Sequence, residues 1–73
     1  MYYIRLTKIN NKKQTDELIL ATNNKNEACL AFEGTLIGLH YKLNSIKFQE
    51  KIINNKVQIK YEDIMIVLTL KEK

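Results

Sequence analysis

Apolar and polar residues alternate along most of this chain with a period of two, and one central stretch breaks that rhythm. Residues 2–9, YYIRLTKI, set Tyr2, Ile4 and Leu6 against Tyr3, Arg5 and Thr7, as in a strand with one face buried. Asn10, Asn11, Lys12 and Lys13 supply a turn, helped by asparagine's tolerance of left-handed backbone. Residues 16–22, DELILAT, return as a second strand. The two predict an antiparallel hairpin whose loop is longer than the tightest type.

The pattern resumes at residues 46–53, IKFQEKII. Ile46, Phe48 and Ile52 take one side, and Lys47, Gln49 and Lys51 the other. Glu50 interrupts the apolar side and is expected near its edge. Asn54, Asn55 and Lys56 mark a tight turn. Val57, Ile59 and Tyr61 then alternate with Gln58, Lys60 and Glu62, and Glu62–Asp63 suggest a bend or bulge. Residues 64–70, IMIVLTL, are the most continuous apolar run and predict a central strand. Lys71, Glu72 and Lys73 are expected to fray.

Residues 24–43, NKNEACLAFEGTLIGLHYKL, follow a helical period instead. Asn24 is a good N-cap, and Glu27, three residues on, is placed to reach back to the cap's N–H and to favour the helix dipole. Cys29, Phe32, Leu36, Leu39 and Leu43 recur at spacings of three and four, which makes one apolar stripe. Asn44 and Ser45 can end the helix. Gly34 and Gly38 count against it, each at about 1 kcal/mol relative to Ala. An alternative ends the helix at Gly34 and makes residues 35–43 a strand; the stripe running unbroken across both glycines favours the full helix.

A helical reading has a second consequence. At about 100° per residue, Leu30, Ile37 and Tyr41 fall on another apolar stripe, nearly opposite the first. Gly34 and Gly38 lie beside it in a G-x-x-x-G spacing that permits close backbone approach. Either the helix is buried on most sides, with its glycines under a neighbouring loop, or this stripe meets a second copy or another protein.

The order is strand, strand, helix, then two or three strands. It predicts one α+β domain over residues 1–73, with a single helix on one face of a four- to five-stranded, mainly antiparallel sheet. A grasp-like arrangement, with the last strand beside the first at the sheet centre, and a plain meander are the two topologies it allows.

Composition narrows the functional classes. The chain has 73 residues and a formal charge of +4 from 12 basic and 8 acidic residues, and Arg5 is its only arginine. Lysine is a flexible point charge, so this balance suggests loose attraction to polyanions or acidic proteins rather than base-specific reading. The abundance of lysine, asparagine and isoleucine also resembles translation of an AT-rich gene, so part of the lysine excess can be codon bias. The single cysteine, Cys29, excludes an internal disulfide and is expected in the core. No apolar run approaches the ~20 residues that cross a bilayer, and MYYIRLTKI lacks signal-peptide order. A cytoplasmic protein without membrane contact is expected.

Catalytic chemistry finds little material. His40 is the lone histidine, at the margin of the apolar stripe, and is expected to be a surface or packing residue. The neighbours Asp16–Glu17 and Glu62–Asp63 would point to opposite faces in extended chain, so neither makes an acid–base dyad. Ser45 has no nearby base in sequence, and no glycine-rich phosphate loop occurs. No enzymatic role, cofactor or metal is therefore expected.

Two surfaces remain. One is the helix stripe of Leu30, Gly34, Ile37, Gly38 and Tyr41, suited to a protein partner or a homodimer. The other is the solvent face of the sheet, with Tyr3, Arg5, Lys47, Gln49, Lys51, Gln58 and Lys60, suited to nucleic acid or an acidic partner. The first expectation is a small noncatalytic protein-binding module. Its size and AT-rich composition match phage or mobile-element products that inhibit a host protein, such as a defence nuclease complex. The alternative is a nucleic-acid-binding protein that uses the lysine-bearing sheet face.

Overall fold

Alternation and turn chemistry cut the chain into six elements in the computed structural model, which describes residues 1–73. They are β1 (Tyr2–Ile9), β2 (Gln14–Thr22), α1 (Lys25–Lys42), β3 (Gln49–Ile53), β4 (Lys56–Tyr61) and β5 (Ile64–Glu72). The strands form one sheet in the order β2-β1-β5-β4-β3, and every neighbouring pair is antiparallel. The fold is thus α+β, one helix against a five-stranded sheet. The last strand lies beside the first at the centre but runs antiparallel to it, and a meander in sequence order is excluded. β2 and β3 are the two edges.

Local chemistry explains the connections. Asn10 closes the β1–β2 loop by accepting from the Lys12 and Lys13 amides at 3.2 and 3.0 Å. Asn54 takes φ 52° in the two-residue turn between β3 and β4, which suits asparagine. Glu62 takes the same φ between β4 and β5, so the expected bend is a tight hairpin turn formed at some steric cost.

Helix α1 runs through both glycines, so residues 35–42 are not a strand. The Asn24 side chain accepts from the Glu27 amide at 3.1 Å. The reciprocal bond expected from Glu27 is replaced, because the Thr22 hydroxyl accepts from the Asn24 amide at 3.1 Å. Inward from the helix come Ala28, Ala31, Phe32, Leu36, Leu39 and Leu43. Ala28 is fully buried while Cys29 is only half-buried, which corrects the expected core role of the cysteine.

The helix packs over β1, β2 and β5. Its inner stripe meets Ile4, Val57, Ile59, Ile66 and Leu68, the buried positions of the three central strands. A bulge in β2 opposite Ile4 and Arg5 turns both Ile19 and Leu20 toward this core. Only seven residues are buried, so each one carries a large share of the stability.

Four strand boundaries differ from expectation: β2 begins at Gln14 and β4 at Lys56, each earlier than expected, β3 begins late and β5 extends to Glu72. β3 starts at Gln49, because Ile46 still bonds back to the Leu43 carbonyl at 3.0 Å and Phe48 packs on the core from the connecting loop. The C-terminal residues do not fray: Lys71 and Glu72 pair with Tyr3 and Tyr2, and the Lys73 amide donates to the Met1 carbonyl at 2.9 Å. No helix is long and apolar enough to cross a membrane.

Candidate functional site: two open faces

The two outward surfaces differ in kind. On α1, Leu30, Ile37 and Tyr41 are 69%, 67% and 79% exposed. Gly34 and Gly38 lie along the same face, and a Cβ built on either would meet nothing within 4 Å. The reading in which these glycines fit under a neighbouring loop is therefore wrong; the chain leaves them open. Leu30, Gly34, Ile37, Gly38 and Tyr41 form a low strip of bare backbone bordered by three large apolar side chains. Such a strip is unfavourable in water and matches the shape of a helix groove.

The sheet's other face carries no covering layer. Its side chains follow from the registers, since Ile4 and its alternates point to the helix. Arg5 stands beside Leu18 and Thr69, and Thr69 beside Lys56. Thr7 stands between Asp16 and Val67, followed by Gln58 and Lys51. Ile9, Met65, Lys60 and Gln49 make the next row. The Thr7 hydroxyl donates to the Asp16 carboxylate across β1 and β2.

The residues expected on this face fall into groups. Tyr3 and Arg5 line a concavity of about 300 Å³ with Thr69, Lys71 and Lys73. Gln49, Lys51, Gln58 and Lys60 share a second shallow depression with Glu50 and Met65. Lys47 precedes β3 and flanks Gln49 and Lys60 with Phe48, Tyr61 and Glu62. Lys56, Lys71 and Lys73 were not expected here. Lys56 reads as a turn residue and the last three as a loose end until the β1–β5 and β4–β5 registers are known. Tyr61 lies on the inner side, packed against the core, as its parity predicts.

His40 has a carboxylate partner that sequence spacing could not reveal. Its Nε2 bonds the Glu50 carboxylate, and its ring stacks on Phe48 at 5.9 Å between centroids and 19° between planes. Glu50 is indeed on the inner side of an edge strand, opposite Ile59. The pair stays partly exposed, at 41% for His40 and 24% for Glu50. It ties the end of the helix to β3, which the helix backbone does not otherwise approach. No three His, Cys, Asp or Glu residues lie close enough to share a metal ion.

The fold and its two open faces define a single-helix α+β protein of the open-sheet type. No known family, curated protein or solved structure matches the chain.

Proposed function

We propose that this protein is a small noncatalytic binding module that docks through the outer face of α1 onto an α-helix of a partner protein. The observation that carries the reading is the line of Leu30, Ile37 and Tyr41, each at least 67% exposed, beside two glycines with open space above them. Isolated exposed leucines need no explanation, but three large apolar groups on one strip do. A helix is the occupant that fits. The strip repeats at helical spacing, and bare glycine backbone lets a second helix approach closely enough for broad contact.

The mode of action follows from that docking. A chain this small works by covering a partner's surface, and we extend the proposal to masking of a host protein, such as a defence nuclease complex, by a phage or mobile-element product. The AT-rich composition supports this extension.

Replacing Leu30, Ile37 and Tyr41 together by serine tests the docking. Affinity capture of tagged protein, read by mass spectrometry, should give a partner with the wild type and lose it with the triple variant. Circular dichroism should show the fold unchanged. Light scattering on the same samples distinguishes a foreign partner from a second copy. Undiminished capture by the triple variant would overturn the assignment of this face.

A further inference from the structure

The positive charge of the chain is not spread over its surface. Outward-facing strand positions carry Arg5, Lys51, Lys56, Lys60 and Lys71, all exposed, and a single carboxylate, Asp16. The other seven basic residues are matched in number by seven acidic ones. These six outward strand positions thus sum to +4, Lys73 joins them beside Tyr3, and Glu50 and Glu62 border the face at its β3–β4 end. Codon bias enriches lysine everywhere and does not by itself sort charge by strand parity.

We infer that this open sheet face is a binding platform for single-stranded nucleic acid, read by its phosphates and base faces rather than its sequence. The cations span β1, β5, β4 and β3, so a backbone laid across the strands would meet them in succession. At the Tyr3 end, Arg5, Lys71 and Lys73 surround an aromatic ring and the Thr69 hydroxyl in one concavity, which offers a stacking surface beside phosphate ligands. Val67 and Met65 lie at the centre of the face, flanked by Thr7 and Ile9 and by Gln58 and Lys60. They present apolar surface on which bases can rest.

A duplex fits this face poorly. Five strands about 4.8 Å apart span roughly 19 Å, too broad for a major groove of about 12 Å. One arginine also leaves little bidentate reading of guanine. An acidic protein surface would satisfy the lysines equally, but it would make no use of Tyr3 as a stacking group.

The platform lies on the side of the sheet opposite the helix strip, so it stands or falls independently of the docking proposed above. The test is fluorescence anisotropy with a labelled oligodeoxythymidylate at low salt, alongside a duplex of equal length and a polyglutamate peptide. The single strand should bind most tightly, and its affinity should fall steeply with added salt. Lys51→Gln with Lys60→Gln should weaken binding and lower the salt slope by about 0.7 for each phosphate no longer neutralised. Tyr3→Leu should weaken binding about tenfold while leaving the slope unchanged, as loss of stacking requires. Lys12→Gln with Lys13→Gln removes the same charge from the β1–β2 loop and should have little effect. Thermal melts of each variant exclude unfolding as the cause. The proposal is overturned by absence of single-strand binding at low salt, by an equal loss in the Lys12/Lys13 control, by an unchanged affinity in Tyr3→Leu, or by polyglutamate or duplex binding as tight as the single strand.

Discussion

The two sides of helix α1 have similar apolar content and opposite fates. Ala28, Phe32, Leu36 and Leu39 turn to the sheet, with Leu43 closing the row, whereas Leu30, Ile37 and Tyr41 turn to water. An element built only for stability would have carried lysine or glutamate at those three outer positions, and the sequence has both residues in supply. Helix-breaking glycines on the outer side sharpen the contrast. They lower helical propensity at the one face where no packing demands a small residue. The inner side is explained by the fold; the outer side is the surface on which the proposed docking rests.

That contrast can be broken by measurement. The largest effect should come from the inner side. Leu43→Ala, at a residue only 6% exposed, should cost about 2–5 kcal/mol in chemical denaturation, whereas Ile37→Ala should stay within about 0.5 kcal/mol. Comparable losses at the two positions would mean that the outer stripe is structural after all. Next come the glycines. Gly34→Ala and Gly38→Ala meet no steric obstacle and should each raise stability by up to about 1 kcal/mol, while weakening capture of a helical partner. A gain in stability with undiminished capture would show that close backbone approach plays no part. The smallest effect should be at the boundary of the two sides. Glu50→Gln, which removes the carboxylate that meets His40 Nε2, should cost only about 0.2–1 kcal/mol because both groups are partly in water.

Much of this architecture is legible in the residues. Period-two alternation locates the strands, and the three-and-four spacing carries the helix through Gly34 and Gly38 despite their propensity. The outer stripe is legible too, because a helical wheel alone opposes Leu30, Ile37 and Tyr41 to the core set. What sequence hides is whatever depends on which strands become neighbours. Lys71 and Lys73 join the basic face because β5 pairs with β1 out to Glu72, and Lys56 because β4 begins one residue before Val57. His40 finds Glu50 only because the loop after the helix leads into an edge strand on the same side. Ala28 is buried and Cys29 only half so because successive helical residues point about 100° apart, and the rotation of α1 over the sheet, which periodicity alone does not fix, turns Ala28 inward.

The pairing of β1 with β5 also shapes how the molecule comes into being. Tyr2 lies opposite Glu72, so the sheet's central seam joins strands far apart in sequence. During synthesis the first hairpin must wait, one hydrogen-bonding edge of β1 unoccupied, until β5 has left the ribosome. Contacts of such long sequence separation slow folding and leave a nascent chain open to mispairing. The β2–β1 hairpin and the β3–β4–β5 meander are each joined by local turns, whereas uniting them needs the long-range β1–β5 pairing.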